Sequence, residues 1–116
     1  MIDKQNLGKI GEDLSVDFLR KKGFKILSRN WRYKKAEVDI IAKYNSFLVF
    51  IEVKCRTSSL FGRPEQAINN KKEKLYQLAA EHYLEKYTLE DEIRFDVISV
   101  IYNKNKTEIE HFINAF

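Results

Sequence analysis

The 116-residue chain has one cysteine, one proline and four glycines, and its longest unbroken apolar run is Phe47 to Ile51. A lone Cys55 excludes an intramolecular disulfide, and with only His82 and His111 to join it there is no soft-ligand set for a structural zinc site. A reducing, cytoplasmic setting is the expectation. The apolar run is far short of the roughly 20 residues that cross a bilayer, and Met1-Ile2-Asp3-Lys4 begins no signal-peptide pattern, so neither membrane contact nor secretion is expected. With 44% hydrophobic, 13% aromatic and 33% charged residues the chain falls among globular sequences, and its length suits a single domain over residues 1–116.

One long stretch has no acid at all. Arg20, Lys21, Lys22, Lys25, Arg29, Arg32, Lys34 and Lys35 follow one another without a carboxylate, in a chain whose net charge is only +4. That concentration suits phosphate contact, with a solvated helix end and strand edge as the alternative.

Leu7, Ile10, Leu14 and Phe18 recur at spacings of three and four, and Gly23 follows a basic turn, which predicts a helix over about 4–22. Gly8, Glu12, Ser15 and Leu19 form a second face, small enough to approach a sheet closely and to carry Glu12 inward. An extended segment follows through Phe24–Leu27 and Trp31–Tyr33 with a bend expected near Ser28-Arg29-Asn30, then strands at about Ala36–Tyr44 and Phe47–Cys55 joined by a turn at Asn45-Ser46. After a loop, Pro64 would open a helix to about Tyr87, with Ile68, Leu75, Leu78, Ala79 and Tyr83 on its buried side. Strands at Arg94–Tyr102 and Thr107–Ile113 complete an α/β order, α-β-β-β-α-β-β, in a mixed sheet flanked by helices.

In a two-residue hairpin in which Tyr44 faces Phe47, Asp39 faces Glu52 and Glu37 faces Lys54. One face is then entirely apolar: Ala36, Val38, Ile40, Ala42 and Tyr44 against Phe47, Val49, Ile51, Val53 and Cys55. The other gathers Glu37, Asp39, Glu52 and Lys54 at one end. Opposed acids cost about 0.2 to 1 kcal/mol, and a cation between them removes the conflict. Oxygen ligands without Cys or His favour Mg²⁺ or Mn²⁺, and Glu12 would add a further carboxylate if its helix packs there. Such a set suits phosphodiester hydrolysis, in which the ion polarises the phosphate and acidifies a water while Lys54 places that water or steadies developing charge. The bland alternative is a surface hairpin with a Glu37–Lys54 salt bridge.

Asp39 followed by Glu52-Val53-Lys54 resembles the D…E-x-K core of the PD-(D/E)xK nuclease superfamily, which has a restriction-endonuclease-like fold. The resemblance extends through Gly8, Gly11-Glu12, Gly23 to Leu27, Asn30, Arg32, Glu37 to Ala42, Phe50 to Lys54, Arg56, Gly62, Pro64 and Arg94 to Val97. Together these are similar to the YraN-like family of endonucleases, itself similar to archaeal Holliday junction resolvases. Ala36 departs from the pattern, where the family has glycine. The resemblance implies that Asp39 and Glu52 bind metal, that Lys54 is catalytic, and that Glu12 is the helix acid of resolvase-like sites. Glu37 and Arg56 match further motif positions, and a symmetric homodimer is implied by analogy.

Asp96, among apolar neighbours in its strand, is expected to support the site from behind or to bind a backbone group. Arg29, Arg32, Lys34, Lys35, Arg56, Gln66 and Lys71 are the candidate nucleic-acid contacts, with Lys72 and Lys74 beside them. Cys55 reads as a small core residue, the two histidines as structural, and Tyr76, Tyr83 and Tyr87 as packing residues rather than stacking platforms. The expected function is Mg²⁺-dependent endonucleolytic cleavage of DNA, with branched or repair intermediates as substrates. The alternatives are a non-catalytic nucleic-acid-binding module of the same fold that assists repair or recombination, and a protein-interaction domain.

Overall fold

A computed structural model describes residues 3–58 and 68–116. The elements are α1 (Lys4–Lys21), β1 (Lys25–Tyr33), β2 (Ala36–Tyr44), β3 (Phe47–Arg56), α2 (Asn70–Lys86), β4 (Glu92–Tyr102) and β5 (Thr107–Phe112). This is the expected order. The strands form one sheet in the order β1-β2-β3-β4-β5, antiparallel except for the parallel β3–β4 pair. The extended segment expected from Phe24 to Tyr33 is the single strand β1, with a register shift between Ile26 and Ser28.

Asp3 caps α1 by accepting the Asn6 N–H at 2.8 Å. The helix ends at Gly23, whose φ of +96° lets its N–H reach Arg20 O while the Phe24 N–H reaches Leu19 O. Asn69 caps α2 through the Lys72 N–H. Pro64, expected to open that helix, lies outside the described residues.

The core has two layers. Val16 and Leu19 of α1 pack with Phe24, Ile40, Ala42, Val49, Ile51, Ile98 and Val100 on one face of the sheet. On the other, Tyr76, Ala79, Ala80 and Tyr83 of α2 pack with Ala36, Val38, Ile41, Leu48 and Phe50. The α1 stripe of Leu7, Ile10, Leu14 and Phe18 is only half-buried; the small-residue face, with Gly11, Glu12, Ser15, Val16 and Leu19, meets the sheet. Leu78, expected to be buried, is 54% exposed, while Tyr76 takes the inward position.

The close approach falls at Gly11 rather than Gly8. A Cβ on Gly11 would stand 2.4 Å from Cys55 Cβ, whereas one on Gly8 would meet nothing within 4 Å. Gly11→Ala is therefore expected to destabilise by about 1 to 3 kcal/mol through overpacking. Gly8→Ala should be neutral or gain up to about 1 kcal/mol from helix propensity. Equilibrium urea unfolding of the two variants checks the contrast, and equal stability would remove the close helix–sheet contact.

Candidate functional site

The hairpin register is the expected one from Tyr44↔Phe47 to Ile40↔Ile51, with Asn45 at φ +53° in the turn. Beyond Ile40 the pairing ends. Continuing the ladder would have given the Val53 N–H to the Val38 carbonyl, because alternate pairs exchange both bonds. Instead, the Asp39 carboxylate accepts the Val53 N–H at 2.8 Å through Oδ2. The strands thus fork at Asp39, and its side chain closes the gap.

The fork reverses part of the expected facing. Ala36 and Val38 pack with α2, across the sheet from Ile40 and Ala42, although unbroken alternation would put all four together. The neighbouring strand turns over at the same level: Arg29, paired with Ile40, reaches α1, while Trp31, paired with Val38, packs with the α2 layer. Asn30 between them has φ +52°, a left-handed conformation that asparagine tolerates.

Asp39 and Glu52 meet at this fork. Burial, then the Glu52 charge, pushes the Asp39 carboxyl up to about 8, the hydrogen bond from Val53 opposing them. Glu52 is buried, and Lys72 Nζ lies 2.7 Å from its Oε2, though off the direction of a good hydrogen bond. The buried Tyr76 hydroxyl stands near Glu52 and the Asp39 backbone without hydrogen-bond geometry to either. Burial, then the Glu52 and Asp39 charges, hold that phenol well above its usual range, so it remains a donor.

Two clefts open on the fork, and both reach Glu37 and Asp39. The larger, about 820 Å³, runs along the first half of α1 past Lys4, Lys9, Glu12, Arg29 and Asn30. The smaller, about 280 Å³, is closed by Lys35, Glu52, Lys72, Leu75 and Tyr76. Glu12 turns inward as expected, but its Oε1 is held by Arg29 Nε at 2.8 Å and Asn30 Nδ2 at 3.0 Å. Among the described residues, no three His, Cys, Asp or Glu side chains converge on one point. The expected trio of Asp39, Glu52 and Glu12 is therefore a close pair with Glu12 beside it. The pair fits a hard divalent ion, since a cation would replace the proton that Asp39 otherwise retains, and Mg²⁺ or Mn²⁺ would complete its shell with water or phosphate oxygens.

The other expected residues are dispersed. Lys54 is exposed, and the ion pair of Glu37 is with Arg32 at 3.2 Å rather than with Lys54. Arg29, expected on phosphate, is exposed and bound to Glu12 and, at 2.5 Å, to Asp13, which orients the helix acid. Lys34 and Lys35 are exposed at the β1–β2 turn, Lys71 is exposed, and Arg56 is buried. Gln66 lies outside the described residues.

Asp96 is away from the fork, on the α1 face. It accepts from Arg94 at 2.8 and 2.9 Å, from His111 at 2.7 Å and from the Asn114 N–H at 2.9 Å. Burial would raise its pKa, but these bonds outweigh burial and hold the carboxyl below its usual value. Its role is structural, binding a backbone group as one expectation had it. Lys72, named beside the phosphate contacts, and Tyr76, read as packing, both stand next to Glu52, which was not expected. They stand four apart on one helix face, so once Tyr76 is inward, Lys72 is the lysine aimed at the sheet.

The family model described as "Uncharacterised protein family UPF0102" matches residues 11–100. A UPF0102 protein of Flavobacterium psychrophilum is 47% identical over 116 residues, covering 100% of this chain and 98% of that relative. One from Christiangramia forsetii is 46% identical over 116 residues, with 100% and 98% covered. Another, from Thermodesulfovibrio yellowstonii, is 46% identical over 110 residues, 95% of each chain.

The raised carboxyl sets a pH dependence. A folded-state value of about 8 against an ordinary 3.8 contributes stability that is complete below 3.8 and is lost as pH rises through about 8. Metal-free protein is expected to lose stability across that window. Asp39→Asn, which mimics the protonated acid, should flatten the profile and be the more stable form at pH 9. Urea midpoints in EDTA measure this, and parallel profiles would show that Asp39 is ionised throughout.

Proposed function

The chain belongs to the uncharacterised protein family UPF0102, and we propose that it is a divalent-metal-dependent nuclease acting on phosphodiester bonds of DNA. The observation that carries this reading is the forced proximity of Asp39 and Glu52, close enough that their mutual charge helps keep Asp39 protonated. Stability alone gives no reason to bury two acids together, whereas an oxygen-ligated cation does. The D…E-x-K resemblance supports the same reading, and similarity to resolvases points to branched or repair intermediates.

When bound, the ion supplies Lewis-acid polarisation of the phosphate. The remaining roles fall to the chain. Asp39 and Glu52 would hold the cation from adjacent strands, and Asp39 is itself fixed by the Val53 N–H. Lys72 neutralises Glu52 and lies at the wall of the smaller cleft, where it can pass to an incoming phosphate. Arg29 and Asn30 hold Glu12 at the edge of the larger cleft, where it adds negative potential behind the pair. Lys54, two residues beyond Glu52 and open to solvent, is placed to approach the phosphate from outside.

A second reading, a DNA-binding module of the same fold without turnover, draws on the engagement of Glu12 by Arg29 and Asn30. Both readings use the lysines of the β1–β2 turn. Only the first requires metal-dependent cleavage.

Purified protein is expected to cut at least one of a panel of linear, flapped and four-way DNAs with Mg²⁺ or Mn²⁺, to stop in EDTA, and to lose the activity as Glu52→Gln. DNA binding without cleavage across the panel would favour the binding module. Replacing Lys34 and Lys35 by alanine should lower the salt slope of duplex binding by about 1.8, the loss of two phosphate contacts. An unchanged slope would remove that turn from the interface.

A further inference from the structure

Beside the smaller cleft lies an apolar slot of about 240 Å³, lined by Tyr33, Lys34, Lys35, Ala36, Leu75 and Leu78. It shares Lys35 and Leu75 with the cleft that holds Asp39 and Glu52. We infer that this slot takes an unpaired nucleobase of the strand whose phosphate lies at the carboxylate pair, an inference that rests on the nuclease reading above.

The slot has a rigid aromatic wall. Tyr33 stacks on His82 with ring centres 3.9 Å apart and planes 14° from parallel, and Trp31 stands behind both, 6.4 Å from Tyr33 and 5.9 Å from His82. Leu78, in the same lining, projects from α2 with 54% of its surface exposed. A lining that joins an exposed leucine to a tyrosine ring offers a flat apolar object a surface to lie against, which is how single-stranded bases are held. The volume is below that of ordinary drug-sized pockets and suits one ring system.

Charge decides between a base and an apolar protein side chain. Among the described residues, the charged ones in the lining are Lys34 and Lys35, with no carboxylate beside them. An anionic backbone would be drawn to this rim, and an apolar side chain of a protein would gain nothing from it. The spacing also fits a strand. Lys72 at the cleft, Leu75 at the shared wall and Leu78 at the slot follow one another in steps of three around α2, spanning roughly 9 Å along its axis. That is two to three stacked nucleotide steps of about 3.4 Å. A paired base is stacked inside its duplex and cannot enter, so the slot selects flaps, single-stranded ends or branch points over blunt duplex.

The test measures binding by the full chain in EDTA, where no cleavage occurs. The probes are a single strand carrying 2-aminopurine and a blunt duplex of the same sequence. The structure predicts tighter binding of the single strand, with a change in 2-aminopurine fluorescence on capture. Leu78→Gln, at an exposed position that tolerates a neutral polar side chain, should lose about tenfold in single-strand affinity, the weaker end of the base-stacking range. It should leave duplex affinity unchanged, and Leu78→Met should behave as the parent chain. Equal affinity for the two probes, no fluorescence change, or an equal effect of Leu78→Gln on both would overturn the slot. The last two are what a slot built for a protein side chain would give. Base capture by a protein that never cleaves with Mg²⁺ or Mn²⁺ would uphold the slot and sink the nuclease reading; cleavage without capture would do the reverse.

Discussion

One hydrogen bond, from the Val53 N–H to the Asp39 carboxylate, fixes the geometry at the fork of β2 and β3. It occupies the place a main-chain carbonyl would have taken, so the strands part without leaving a buried donor unpaired. By parting, they open the clefts on either side of Asp39. The same bond fixes the carboxylate next to Glu52, so the break in the sheet and the electrostatic conflict are one feature of the chain.

The two buried acidic centres have opposite electrostatics. Asp96 is surrounded by donors from Arg94, His111 and Asn114, which keep it ionised and tie the C-terminal residues to β4. Asp39 is buried with a like charge nearby, which keep it protonated against its one hydrogen bond from the backbone. A carboxylate that serves only packing resembles the first. On the proposed nuclease reading the second would take a cation in place of its proton, with Lys72 meanwhile the partner of Glu52.

Much of this was legible in the sequence, and the failures share a cause. The element order and the hairpin register followed from period-two patterning and a two-residue turn, and the register holds through Ile40 and Ile51. Alternation then broke down at Asp39. Ala36 and Val38 read as partners of Ile40 and Ala42, yet they face α2, because Asn30 adopts a left-handed conformation and both strands of the β1–β2 hairpin turn over together. Pattern alone does not reveal a backbone reversal at an Asn that could equally have been extended. Arg29 is on the surface, as a run of basic residues predicts, but pattern did not show that the reversal aims it at Glu12 and Asp13. On α1 the small-residue face of Glu12, Ser15 and Leu19 meets the sheet as its spacing suggested, but the tightest contact is made by Gly11, which carries no hydropathy signal. Lys72 was hidden among three lysines and is singled out only by its spacing from Tyr76.

The central claim is that a divalent cation takes the place of the proton on Asp39. Calorimetric titration of the protein with Mn²⁺ at pH 7, in two buffers of different ionisation enthalpy, tests it most directly. The account predicts saturable binding with release of about one proton per ion, and loss of that release in Asp39→Asn. Binding with no proton released, or no binding at all, would contradict it.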